Sequence, residues 1–270
     1  MKSNLSGDPL PRDFAEAIER AQGRLGRLAS RVSYFATVGS TNDVASRLAE
    51  FPGAEGAVVC ADCQTAGRGR RGRAWLSPPG AGLYVSVVWT PARARTEADR
   101  ATALVTLAAG VALAEAVEAA TALRADLKWP NDLYVARRKL AGILAEGGVH
   151  DAVIVGYGVN VGPMAFPPEL AGRATSIETE LGHAIDRAQL FAETLAALAR
   201  RYEDLLDGRF DAILDAWRAR APAGRGAHVS WTTPSGVHTG VTAGIDDRGG
   251  LLVRVGEHVE RIVAGEVSWL

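Results

Sequence analysis

Two stretches of this chain hold the residue types that could meet an anion. The first is Q64-T-A-G-R-G-R-R-G-R-A-W75, twelve residues holding four arginines, three glycines and a tryptophan. Arginine forks match phosphate or carboxylate oxygens. Glycine lets a backbone approach a ligand closely and turn its N–H groups inward. Trp75, just behind, offers a flat face to a base. By composition the stretch fits a solvated loop, a nucleic-acid-binding tract or a cradle for a phosphorylated small molecule. The second stretch is L127-K-W-P-N-D-L-Y134, where Pro130, Asn131 and Asp132 spell a tight turn and leave Lys128 on a strand end. Lysine is scarce here: of 30 basic residues only Lys2, Lys128 and Lys139 are lysines. Lys2 falls in a terminus expected to fray. The other two are placed where a compact ammonium does what a guanidinium does poorly.

Two further segments are weaker. R138-K-L-A-G-I-L-A-E146 begins with Lys139 and carries Gly142, where a ligand can come close. G158-V-N160 ends a strand with an amide that both donates and accepts. Each equally fits strand packing or turn chemistry.

Composition excludes several classes. The formal net charge is -1, so the arginine cluster is a local device and not part of a generally basic nucleic-acid surface. No residue run reads as a transmembrane span and no signal peptide is visible, which predicts a soluble cytoplasmic protein. Cys60 and Cys63 form a lone C-x-x-C with neither metal-ligand partners nor a helix behind it, and read as incidental. The phosphate-binding loop of P-loop proteins, the dinucleotide fingerprint and the kinase signatures are all missing.

The elements that must hold these residues follow from periodicity. A helix is expected over 12–29 and an extended segment over 32–38. A helix then starts at G39-S-T-N-D, with Ser40 or Thr41 as N-cap. Strands are expected over 56–61 and 83–89, joined by the Gly/Arg loop from 62 to about 81. An Ala-rich helix, 98–120, precedes strands near 122–129, 132–136, 139–146 and 151–157, and two helices fill 187–219. After A221-P-A-G-R-G226 short alternating strands predict a small β-barrel of about 45 residues. The fold class is α+β: a mixed β-sheet flanked by helices, with 1–32 a helical extension, 33–221 the main domain and 222–270 the small one.

In order and spacing G39-S-T-N42, Q64 to W75, K128-W-P-N-D132, K139 to E146, G158-V-N160 and A264-G-E-V-S268 resemble the biotin protein ligases. The resemblance runs over roughly 33–270 and implies a class II synthetase-like biotin/lipoate ligase domain with an SH3-like C-terminal barrel. It implies ATP and biotin as substrates with Mg²⁺, formation of biotinyl-5′-AMP, and transfer to a lysine of a biotin carboxyl carrier domain such as that of acetyl-CoA carboxylase. Carried over by motif, Ser40, Thr41, Asn42 and Gln64 hold the ureido ring, and Arg68, Gly69 and Arg70 close over biotin and the phosphates. Lys128 contacts the carboxylate and α-phosphate; Arg68 and Arg70 assist it. Arg70, Arg73, Trp75, Asn131, Lys139 and Asn160 serve the nucleotide, with Trp75 and Asn160 toward adenine. No protein cage for a metal is expected, since Mg²⁺ rides on phosphates.

Only about 32 residues precede the resembling region, too few for the DNA-binding module of the family's repressors, so no operator binding is expected. A homodimer is left open. Lipoate or octanoate attachment is the alternative activity; the polar Ser40–Asn42 and Gln64 set favours biotin. A non-enzymatic RNA-binding protein leaves the two lysine segments without a purpose. Self-repelling arginines on glycines further predict a 62–81 lid that is mobile until an anion settles it.

Overall fold

The computed structural model describes residues 7–29 and 31–270; Lys2 lies outside them. Helix α1 (Arg12–Ala21) buries Phe14, Ala17 and Ala21 against a later helix and stops well short of residue 29. Two single 3₁₀ turns, Gln22–Arg24 and Gly26–Ala29, follow it, and Gly26 takes φ +50, a backbone that breaks a helix.

The main sheet is assembled from β1 (Val32–Val38), β2 (Val58–Gln64), β3 (Gly82–Trp89), β4 (Asp126–Lys128), β5 (Asp132–Val135), β6 (Arg138–Gly147) and β7 (Val153–Asn160). Their order is β1-β2-β3-β7-β6-β5-β4. Only β1 and β2 run parallel; every other pair is antiparallel, so the sheet is mixed, as expected. The expected strand near 122–129 shrinks to three residues, because α3 (Ala98–Thr121) runs on to its left-handed cap at Ala122.

Strand alternation divides this sheet into a core face and a site face. On β3 Val85, Val87 and Trp89 join the main core, while Ser86 lies on the other face; on β7 Val155, Tyr157 and Val159 oppose Gly156, Gly158 and Asn160. The core face is covered by α3, α5 (Arg187–Leu206) and α6 (Phe210–Arg220). Short α2 (Thr41–Leu48) covers part of the other, burying Val44 and Ala45 with Val59, Val88 and Ile154. A fourth helix in chain order, α4 (Ile177–Leu181), is a single turn capped by Ser176.

Helix α3 corrects one expectation. With mean hydropathy 1.7 over its best window it is long and apolar enough to cross a bilayer by composition alone. Its apolar surface goes instead into the molecule, where residues from Ala101 to Val117 are buried between the sheet and its neighbouring helices. Cys60 and Cys63 sit three residues apart on β2, roughly 10 Å, beyond disulfide reach of each other. Burial pushes the Cys60 thiol up to about 12, far from a reactive thiolate.

The C-terminal strands β8 (Arg225–Thr233), β9 (Gly236–Ile245), β10 (Leu251–Val255), β11 (His258–Ile262) and β12 (Val267–Trp269) form an antiparallel sheet ordered β11-β10-β9-β8-β12. That is consistent with an SH3-like unit, although its end strands do not pair with each other to close the expected barrel. Val229, Trp231, Leu251, Val253 and Val267 belong to the same core as the main sheet. Trp129 fixes the junction by donating its Nε1 proton to the Gly249 carbonyl, 2.9 Å away.

Candidate active site

One cavity of about 700 Å³ lies on the site face, between α2, the Gly/Arg loop, the β4–β5 turn and β12. All the residues singled out for a site line it: Ser40, Thr41, Asn42, Gln64, Arg68, Gly69, Arg70, Arg73, Trp75, Lys128, Asn131, Lys139 and Asn160. Five segments between Ser40 and Asn160 thus converge, which none of them requires alone.

The floor is made by glycines in register. Gly158 stands opposite Tyr84 on one side and Gly142 on the other; Gly156 stands opposite Ser86 and Leu144. A methyl group on Gly158 would meet Trp75 Nε1 at 2.2 Å, and one on Gly142 would meet the same ring at 3.1 Å. Gly142 was expected to admit a ligand; what it admits is Trp75. A methyl group on Gly156 would lie 1.9 Å from Asn42 Oδ1. The strand glycines therefore seat two site side chains.

At one end of the cavity the polar side chains form a closed network. Gln64 Oε1 accepts from the Thr41 backbone N–H (2.9 Å) and lies 3.1 Å from Thr41 Oγ1, while Gln64 Nε2 donates to Ser77 Oγ at 3.0 Å. Asn42 Nδ2 donates to Glu146 Oε2 at 2.5 Å and faces the Leu144 carbonyl, which pins its amide with Oδ1 toward Ser86. Ser86 Oγ is 2.6 Å from that Oδ1 and 2.8 Å from Thr41 Oγ1. Ser86 has one proton, and Asn42 Oδ1 can only accept, so the proton goes there. Thr41 must then donate to Ser86 or to Gln64. In either case its proton is committed, and Thr41 offers a ligand lone pairs. Ser40 is buried at the N-cap position of α2 but makes no capping bond, against expectation, and its hydroxyl has no partner among the described residues.

The other end is cationic and aromatic. Lys139 Nζ lies 2.7 Å from Asp132 Oδ1 and 5.4 Å from the centroid of Trp75. Trp75 Nε1 is buried without a hydrogen-bond partner among the described residues. Asn160 commits its amide N–H to the Thr175 carbonyl at 2.9 Å. Asn131 is locked to β6, donating to the Ile143 carbonyl at 2.7 Å and accepting from Arg70 at 3.2 Å. Lys128 is half-buried, and burial pulls its pKa below the ordinary lysine value; Asp132 and Glu266 oppose this, and Lys139 and Arg173 add to it.

The Gly/Arg loop is a small hairpin. The Gly69 N–H donates to Arg73 (2.7 Å) and that of Trp75 to Gly67 (2.9 Å), around a turn in which Arg71 and Gly72 take φ 59 and 73. Its arginines are not left to repel one another, which corrects the physical basis expected for its mobility. Arg68 forks onto Asp43 at 3.0 and 2.6 Å, with Glu146 at 3.5 Å; Arg73 forks onto Glu266 at 2.8 and 2.5 Å. Only Arg71 has no side-chain bond among the described residues.

Sequence reasoning missed Ser86, Glu146, Glu266, Tyr134 and Trp269. Ser86 had a signal, as the one strongly polar residue in the apolar run L83-Y-V-S-V-V-W89. Glu146 and Glu266 stood inside quoted motifs with no role. Trp269 had none, since only the tertiary fold brings β12 to β4.

Residues 34–160 match the biotin/lipoate A/B protein ligase family, and residues 226–270 match the biotin protein ligase C-terminal domain. The biotin–[acetyl-CoA-carboxylase] ligase of Paracoccus denitrificans is 38% identical over 245 residues, covering 84% of this chain and 96% of that protein. The corresponding ligase of Mycobacterium tuberculosis is 35% identical over 241 residues, covering 87% of each. The structure of the biotin protein ligase from Aquifex aeolicus in complex with biotin and ATP superposes with a TM-score of 0.77 at 31% identity, covering 89% of this chain and 99% of that one. This chain belongs to the biotin protein ligases.

Proposed function

We propose that this protein is an ATP-dependent ligase that attaches biotin to a protein lysine in two steps. The observation that carries the reading is the polarity of a single cavity: a hydrogen-bonded network of polar side chains at one end, and at the other a cationic group in which Lys128 has no carboxylate partner among the described residues. A ureido ring carries two N–H donors and one carbonyl. Ser40 Oγ and the lone pairs of Thr41 answer the donors, and the Ser40, Thr41, Asn42 and Gln64 set frames the ring.

In the first step the biotin carboxylate attacks the α-phosphorus of ATP and pyrophosphate leaves. The nucleophile is already ionised, so the step needs positive charge around the phosphorus and no general base. Lys128 supplies it at the carboxylate and α-phosphate oxygens, with Arg68, Gly69 and Arg70 closing over them. Arg70, Arg73, Asn131 and Lys139 serve the phosphates and ribose side; Trp75 and Asn160 serve the base. In the second step the acceptor amine attacks the acyl carbon, its proton is lost, and AMP leaves.

Mg²⁺ belongs to this reading as a companion of ATP. The ion would ride on the ATP phosphate oxygens and keep several of its waters. The acceptor is a biotin carboxyl carrier domain, that of acetyl-CoA carboxylase by analogy with the Paracoccus and Mycobacterium relatives. Residues 33–221 act as the catalytic unit, 222–270 as the C-terminal domain and 1–32 as an extension. The setting is cytoplasmic.

The test is isotope exchange between pyrophosphate and ATP without an acceptor. Biotin-dependent exchange is expected. Exchange with lipoate or octanoate and not biotin reassigns the substrate, and no exchange with any acid removes the ligase reading.

A further inference from the structure

Lys128 differs from Lys139 in what holds it. Lys139 has the Asp132 carboxylate at 2.7 Å. Lys128 has no carboxylate partner and no hydrogen bond among the described residues. Its ammonium instead lies 4.5 Å from the ring centroid of Trp269 and 5.2 Å from that of Tyr134. The two rings support each other edge to face, with centroids 5.0 Å apart at 60°. Trp269 is fixed in turn by β12, where it pairs with Val229, as Val267 pairs with Trp231.

The two kinds of partner do different things to a cation. A carboxylate would hold the ammonium by taking its hydrogen-bond donors and cancelling its charge. A ring face attracts through its quadrupole and leaves the N–H groups unpaired. Lys128 lines the cavity with all three donors uncommitted. Arg137, 5.3 Å from the same Trp269 ring, adds a second cation to the seat.

We propose that Trp269, with Tyr134, is a positioning residue: an aromatic seat, supplied across the domain junction, that fixes Lys128 while keeping its donors free for the carboxylate and α-phosphate. The inference rests on the reading of Lys128 as the lysine that serves adenylation. It gives the C-terminal sheet a direct part in the first step through a side chain outside every motif by which the chain was read.

The three-lysine composition makes the seat observable. In protein labelled with ¹³C-lysine, and with Lys139→Arg used for assignment, the Lys128 ε-methylene is expected upfield of the other lysines, shifted by the ring currents. Trp269→Leu should collapse that shift and lower kcat for biotin-dependent pyrophosphate exchange roughly tenfold, with the KM for biotin within about twofold. Trp269→Phe, which keeps an aromatic face, should retain the shift in part and recover most of the rate. Should the leucine variant fail to fold, Tyr134→Leu and the wild-type spectrum carry the test. An unshifted Lys128 in the wild type overturns the seat, and a collapsed shift with unchanged kcat overturns its part in positioning. A shifted Lys128 in a protein without any biotin-dependent exchange overturns the ligase reading and leaves the seat standing.

Discussion

At the scale of single residues the proposed function rests most on Lys128. It is the one lysine in the cavity whose charge is not matched by an adjacent carboxylate. Its replacement by alanine removes a preorganised donor at the point where charge develops, and is expected to lower biotin-dependent pyrophosphate exchange on the order of 10²-fold or more. A near-normal rate would show that another group serves the phosphate. Its titration offers a second check. Burial destabilises the ammonium, so its pKa lies below the ordinary value, and the proton needed for catalysis is lost at a lower pH than from a free lysine. Exchange should therefore fall on the alkaline side below the free-lysine value of about 10.4. Lys128→Arg, slower because its fork fits a different geometry, should show no such fall. An alkaline limb retained in the arginine variant would assign that titration elsewhere. Much of the cavity lining could be read at this scale because the polar run S40-T-N42, Gln64 at the start of the Gly/Arg stretch and the scarce lysine Lys128 stand at the ends of expected elements. Proton direction could not: that Thr41 accepts from a ligand follows only once Glu146 pins Asn42 and Asn42 takes the proton of Ser86.

The strands seat Asn42 and Trp75, to which the proposed function assigns the two halves of the ligand, over adjacent rows of one sheet. Ser86, Gly156 and Leu144 form a row beneath Asn42; Tyr84, Gly158 and Gly142 form the next, beneath Trp75. Gly158→Ala should displace the Trp75 ring and raise the KM for ATP roughly tenfold, the scale of one lost base–aromatic stack, leaving the biotin KM little changed. Gly156→Ala should do the reverse through Asn42. Steady-state kinetics of the two variants decide this, and equal effects on both substrates would refute the division into rows. The alternation in G156-Y-G-V-N160 made such a division legible, since residues two apart share a face. Segment identity was legible wherever period and length agreed, as in α3 and β3. Local pattern failed where tertiary packing decides. Helix α1 gives way to 3₁₀ turns from Gln22, and the short alternating strands expected after Gly226 did not reveal whether their sheet would close.

For the molecule as a whole, the Arg73–Glu266 pair is the contact through which the Gly/Arg hairpin holds the C-terminal sheet. Arg73 is 67% exposed and Glu266 37%, so water and salt screen the pair, which is worth no more than about 1 kcal/mol. A contact that weak is what the expected lid, opening for substrates and closing over the acyl-adenylate, requires. Burial alone would raise the Glu266 carboxyl, but the Arg73 fork, with Lys128 and Arg71 nearby, holds it below its ordinary range. The pair's contribution is thus complete above the free-carboxyl value of about 4.3 and is lost only as pH falls through the lower folded value. Between pH 6 and 8 the contact should respond to salt and not to protons. In the ligand-free protein, cleavage within 62–81 should quicken with added salt, and Glu266→Gln should quicken it several-fold at low salt while making it insensitive to salt. Biotin with ATP should protect the hairpin in both proteins, because the acyl-adenylate's phosphate supplies the anion that Asp43 and Glu266 provide in its absence. Equal cleavage with and without ligands would mean that the hairpin is not a lid. Equal cleavage of wild type and Glu266→Gln at every salt concentration would mean that something other than the C-terminal sheet holds it down.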